Sequence, residues 1–140
     1  MKNTVIDAGP MIALFDRNDK FHNQVKEFIS GYEGNLVSTW PVITETTHML
    51  DFSFSAQIDF MIWIWRGAIK IFDLRRNHLE RIATFSKKYS DVPMDLADAS
   101  LMVAAEDEKI NQIISLDSDF FVYRTIDKLY LENLLLPLDR

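Results

Sequence analysis

The stretch Asn3-Thr4-Val5-Ile6-Asp7-Ala8-Gly9-Pro10-Met11-Ile12 decides the fold. Thr4, Val5 and Ile6 form a short β-branched run, which reads as a strand over residues 3–7, buried on both faces. Pro10 suits the first turn of a helix, where its missing N–H costs nothing, and predicts a short helix over 10–15. A buried strand passing at once into a helix is the opening of an α/β unit. Asp7 sits at the junction. A carboxylate directly after a buried strand is costly to desolvate unless it is paired or bound to a cation. Its alternative role is capping the following helix.

The same alternation runs outward along the chain. Phe21, Val25, Phe28 and Ile29 recur at helical spacing and predict a helix over 19–32, closed by Gly31 and Gly34. A brief strand over 36–38 follows, then a helix over 41–50. The next helix spans 55–65, with Ser55 as its N-cap. A strand over 69–72, helices over 76–89 and 95–107, a strand over 112–116, a single turn over 119–123 and a last strand over 128–131 complete the reading. Strands alternating with helices give an α/β fold of three layers, a central parallel sheet of four or five strands with helices on both faces. The 140 residues fit one domain, 1–140.

Four acids occupy the positions where such a fold places catalytic groups. Asp7 and Asp117 each follow an apolar strand, and ligands of open parallel sheets bind outside the carboxyl ends of the strands. Glu45 shares a helical stripe with Val42, Thr46 and Met49, an unusual place for an acid unless it is salt-bridged. Asp98 faces the same way as Leu101, Met102 and Ala105, so it points inward. Asp95, three residues earlier, reads as an N-cap or an outer helper. Asp119 follows Asp117 in an Asp-x-Asp pattern that ordinary turns also use, and stands in reserve. Crowded carboxylates repel one another and call for a cation. Oxygen-only ligation selects Mg²⁺ or Mn²⁺ over zinc. Metal-dependent phosphodiester hydrolysis is the chemistry this points to.

Composition narrows the classes. There are no cysteines, which excludes disulfides and thiolate metal sites. No leader pattern opens the chain, and the apolar run 60–65 is far shorter than the ~20 residues a membrane helix needs, so a soluble cytoplasmic protein is expected. The three histidines, His22, His48 and His78, share no spacing, and hydrogen-bonded or surface roles are expected of them. No Ser-His-Asp elbow, P-loop or GxGxxG is present. The net charge of −6 runs against phosphate binding. However, residues 66–88 carry seven Lys and Arg against two acids. Arg75, Arg76 and Arg81 in that stretch are candidates for phosphate contact; the other reading is a solvated face.

The four acidic motifs together resemble a known family. Val5-Ile6-Asp7-Ala8-Gly9-Pro10-Met11-Ile12-Ala13-Leu14-Phe15-Asp16 resembles the opening of a PIN domain, including those of bacterial VapC-type toxins. Glu45 in Val-Ile-Thr-Glu-Thr, Asp98 in Asp-Leu-Ala-Asp-Ala-Ser-Leu and Asp117 in Ser-Leu-Asp-Ser-Asp-Phe match the remaining motifs in order, over about residues 3–123. The resemblance implies an endoribonuclease with Asp7, Glu45, Asp98 and Asp117 around Mg²⁺ or Mn²⁺, leaving a 5′-phosphate and a 3′-hydroxyl. It also implies a homodimer, an RNA substrate and, for a toxin, a small antitoxin partner. Two other readings stay open: a non-catalytic PIN-like RNA-binding module, and a Mg²⁺-dependent phosphatase-like α/β protein. The latter would want Asp-x-Asp after the first strand, where this chain has Asp7-Ala8-Gly9.

Assembly has its own expectation. On helix 55–65, Ile58, Ile62 and Trp65 lie along one stripe, expected to pack on the sheet. Phe60, Trp63 and Ile64 fall outside it and are expected to form an exposed dimer patch.

Overall fold

The structure, a computed structural model, describes residues 2–136. Five parallel strands form one sheet in the order β3-β2-β1-β4-β5: β1 Asn3–Ile6, β2 Asn35–Ser38, β3 Ile69–Ile71, β4 Gln112–Ile114 and β5 Glu132–Asn133. Six helices among the described residues flank it: α1 Ala8–Phe15, α2 His22–Gly31, α3 Trp40–Met49, α4 Phe54–Trp65, α5 Leu79–Lys88 and α6 Leu96–Asp107. The expected three-layer α/β fold is the one found.

The order of strands fixes where a site can form. The chain moves outward from β1 to β2 and β3, then crosses back to place β4 on the other side of β1. Val5 registers with Val37 on one side and Ile113 on the other. The topological switch therefore lies between β1 and β4, the place where such sheets open a crevice. Val5, Ile6, Ile113 and Ile114 are buried, so this part of the sheet is rigid core. Helix α6 supplies much of the packing, with Ala97, Ala99 to Ala105 all buried. Its alanines let neighbours approach closely, and a helix apolar all round has no solvent face to present there.

Several expected boundaries move, each for a local reason. Helix α1 starts at Ala8 rather than Pro10, because Asp7 caps it. The N-cap of α4 is Ser53, not Ser55: its hydroxyl accepts from Ala56 N at 3.2 Å. The helix expected over 76–89 begins as a 3₁₀ turn at Arg76–His78, where His78 Nδ1 accepts from Arg75 N at 2.8 Å. The last strand is not 128–131 but Glu132–Asn133. Residues 125–129 are drawn into a turn instead, in which Thr125 N donates to Leu129 O at 2.7 Å. Gly34, at φ +154, sits where an added Cβ would fall 2.6 Å from Lys2 O, so the entry to β2 admits glycine alone.

The face assignment of α4 is reversed. Phe60 is fully buried, and Trp63 packs edge-on against Phe15 with centroids 5.4 Å apart. The stripe expected in the core, Ile58, Ile62 and Trp65, faces outward, joined by Phe54 and Met61, with Trp65 83% exposed. Both faces of this helix are apolar, so periodicity alone could not tell them apart; the aromatic pocket around Phe15 decides which one is buried.

Candidate active site

Three acids converge at the switch between β1 and β4. One carboxylate oxygen each from Asp7, Asp98 and Asp117 lie within 4.8 Å of one another. Each acid also organises the start of a helical element. Asp7 is the N-cap of α1, and its Oδ1 accepts from Ala8 N at 2.8 Å. Asp98 sits in the first turn of α6 in a reciprocal cap with Asp95: Asp98 N donates to Asp95 Oδ1 at 2.8 Å, and Asp95 N donates to Asp98 Oδ2 at 3.4 Å. Asp117 caps the 3₁₀ turn Ser118–Phe121, its Oδ1 accepting from Asp119 N at 2.9 Å. Capping and cation binding are thus compatible here. A carboxylate oxygen that accepts one hydrogen bond keeps a further lone pair for a cation, and the positive ends of the helix dipoles point at the cluster.

Ser115 was not among the residues singled out from sequence. It is buried between the two strand-end acids, donating to Asp7 Oδ2 at 3.0 Å and accepting from Asp117 N at 2.9 Å. A serine two residues before an acid carries no sequence signal by itself; only the pairing of β1 with β4 brings it to Asp7.

The remaining acids take lesser places. Glu45 lies outside the tight group but lines the same pocket, with Met49, Asp95 and Pro93 at its mouth. Its stripe divides: Val42 and Thr46 are buried, whereas Glu45 and Met49 face the opening. Asp95 lines the pocket as well as capping α6, and Asp119 stands outside the three-acid group. The pocket encloses about 560 Å³.

The electrostatics are those of a site short of positive charge. Burial raises the Asp7 carboxyl to about 6, and the charges of Glu45 and Asp117 add to the rise against the opposing hydrogen bonds from Ala8 and Ser115. Asp98 is pushed up to about 8, first by burial and then by Asp95, Asp7 and Asp117. Glu45 is also raised, by burial and by Asp95 and Asp117. A hard divalent ion fits this donor set. At metal–oxygen distances of about 2.1 Å, adjacent octahedral ligands stand about 3 Å apart and opposite ones about 4.2 Å. The three oxygens, all within 4.8 Å of one another, are close enough for one such ion to be shared among them. Neither Cys nor His lines the pocket, which disfavours zinc.

The basic stretch 66–88 divides on inspection. Arg81 Nη1 donates to Asp107 Oδ1 at 2.7 Å, and its other nitrogen pairs with Glu106. Arg75 pairs with Asp73 at 2.6 Å and Lys70 with Glu108 at 3.1 Å. His78 Nε2 lies 2.8 Å from Asp107 Oδ2. Arg81 joins α5 to the end of α6 opposite Asp98, about 13 Å along the helix axis. Its expected phosphate role gives way to a structural one. Lys87 and Lys88 close α5 and remain exposed.

The chain belongs to the PIN-domain family: the model for that domain matches residues 4–125. Ribonuclease VapC26 of Mycobacterium tuberculosis is 25% identical over 119 residues, covering 84% of this chain and 88% of that protein. The Mycobacterium tuberculosis toxin VapC20, described as cleaving the sarcin-ricin loop, superposes with a TM-score of 0.79 at 15% identity, over 85% of this chain and 93% of its own. VapBC2 of Rickettsia felis, solved with a promoter DNA fragment, gives 0.63 at 12% identity, over 94% and 98%. At those identities the two structures speak for the fold. No helix among the described residues is long and apolar enough to cross a membrane.

Proposed function

We propose that this chain is a Mg²⁺- or Mn²⁺-dependent endoribonuclease of the cytoplasm and the toxin of a toxin–antitoxin pair. The observation that carries the reading is the convergence of Asp7, Asp98 and Asp117 oxygens within 4.8 Å at the switch point of a PIN fold. The VapC relatives supply the substrate class and the antitoxin partner.

Asp7, Asp98 and Asp117 would hold the cation. When bound, such an ion acidifies water and offsets charge on the phosphate oxygens. Glu45, at the mouth, accepts a hydrogen bond from the attacking water and orients it in line with the scissile bond. The water oxygen bonds to phosphorus as the bond to the 3′ oxygen breaks; the water proton leaves through Glu45 to solvent, and the departing oxygen takes up a proton. The ends are a 5′-phosphate and a 3′-hydroxyl. Ser115 fixes the Asp7 carboxylate, and Asp95 fixes the turn that carries Asp98. The outward stripe of α4, from Phe54 to Trp65, would close a two-fold dimer, because self-complementary apolar patches close most simply as pairs.

The test is incubation of a mixed RNA pool with the purified chain and Mg²⁺ or Mn²⁺, with Asp7→Asn alongside. Cleavage by the wild type alone, with 5′-phosphate ends, supports the reading. No metal-dependent cleavage by either overturns it and favours a non-catalytic RNA-binding role.

A further inference from the structure

Beside the acid pocket lies a second, shallower depression of about 690 Å³, walled by Trp40 and Leu96. Trp40 opens α3 and Leu96 opens α6, and the two side chains are 59% and 51% exposed. The two hollows are continuous, because Glu45 and Asp95 line both. From Trp40 to Glu45 the helix rises about 7.5 Å, so the ring stands within a nucleotide or two of the acids. An indole and a leucine facing one gap form the apolar slot that flat bases enter in single-stranded recognition. Other exposed rings, such as Phe54 and Trp65, line neither hollow.

The charge distribution gives such a slot a use. The acid pocket repels a phosphate backbone, and Lys70, Arg75 and Arg81 are held in ion pairs, Arg81 at the far end of α6. Stacking on an aromatic face is indifferent to charge and adds a hold on RNA beside the carboxylates to whatever phosphate contacts the remaining cations make. We propose that Trp40, backed by Leu96, stacks an unpaired base flanking the scissile phosphate. The proposal rests on the ribonuclease reading for the identity of its ligand.

The experiment measures binding apart from cleavage. Asp98→Asn protein is titrated in Mg²⁺ with a single-stranded RNA of about twelve nucleotides and with an abasic strand of the same length, with Trp40 intact, as Trp40→Ala or as Trp40→Phe. Expected is a loss of RNA affinity of about 5- to 150-fold in Trp40→Ala, largely restored in Trp40→Phe. The loss should be of similar size at about 50 mM and about 200 mM salt, unlike a phosphate contact. The abasic strand should bind all three alike. With active protein, Trp40→Ala should raise KM and leave kcat nearly unchanged. Equal RNA affinity with and without the indole overturns the proposal and leaves the ring to a protein partner. A Trp40-dependent affinity in a chain that cleaves no RNA would keep the stacking site and remove the ribonuclease reading.

Discussion

The Ser115 hydroxyl donates to Asp7 Oδ2 at 3.0 Å while accepting from Asp117 N at 2.9 Å, so one buried side chain ties together the ends of β1 and β4. Ser115→Ala leaves the Asp7 carboxylate held by Ala8 N alone and leaves Asp117 N without its acceptor. Groups that orient metal ligands typically change metal affinity or activity about 10- to 100-fold. Ser115→Ala should therefore require that much more Mg²⁺ for half-maximal RNA cleavage, with circular dichroism unchanged. Ser115→Thr, which keeps the hydroxyl, should recover most of the loss. An unchanged Mg²⁺ requirement in Ser115→Ala would show that the hydroxyl plays no part in holding the site.

Asp98→Asn should separate stability from activity. Asn keeps an oxygen for the cap with Asp95 but removes a charge that burial and three neighbouring acids already disfavour. Thermal melts without metal should give a Tm equal to or above that of the wild type. RNA cleavage should fall more than about 100-fold, beyond the loss from an outer-shell change. A variant that cuts at the wild-type rate removes Asp98 from the site.

The raised acids set a pH dependence with a definite sign. Asp7 stands at about 6 and Asp98 at about 8, both above the value of 3.8 expected of a free Asp. Between those limits the folded state binds more protons than the unfolded chain, so metal-free stability is greatest in acid and falls as pH rises from about 4 to about 8. For Asp7 alone the change is on the order of 3 kcal/mol. Cation binding requires the ionised acids, so the rise in Tm on adding Mg²⁺ should be larger at pH 8 than at pH 6. Melts with and without Mg²⁺ at the two values check this, and an equal rise at both contradicts it.

The two faces of α4 give opposite expectations. Phe60→Ser removes a fully buried ring and should destabilise the fold by about 3 kcal/mol or more. Ile62→Ser with Trp65→Ser alters the outward stripe and should leave Tm nearly unchanged while converting a dimer to a monomer in sedimentation. A wild type that is already monomeric at micromolar concentration ends the dimer proposal.

What the sequence made legible follows from the kind of signal each feature leaves. The strand-to-acid junctions at Asp7 and Asp117 are local, since a charge ending a buried apolar run is visible without a fold. Asp98 was legible because its neighbours Leu101, Met102 and Ala105 are apolar at helical spacing. Ser115, by contrast, acts through a contact across 108 residues, which no spacing encodes. The buried face of α4 failed for a related reason: both faces are apolar, and Phe15, outside the helix, decides between them. Arg81 pairs with Glu106 and Asp107, 25 and 26 residues away, which no spacing encodes, whereas Arg75 pairs with Asp73 only two residues before it. Trp40 read as nothing until α6 placed Leu96 beside it.

The salt dependence of RNA binding should follow cations that are held in no ion pair. Lys87→Gln with Lys88→Gln should flatten the slope of log affinity against log salt by up to about 2, as two phosphate contacts are lost. Arg81→Gln should lower Tm, because it leaves Glu106 and Asp107 short of their partner, and should leave the slope unchanged. A slope that responds to Arg81 alone would return the phosphate contact to the far end of α6.

Calorimetric titration of the purified chain with Mn²⁺, beside Asp7→Asn, Asp98→Asn and Asp117→Asn, tests the central claim most directly. One shared cation site predicts saturable binding by the wild type and a marked loss of affinity in each of the three variants. Binding that survives all three substitutions, or no binding by a folded wild type, would contradict the assignment of these carboxylates to a single metal centre.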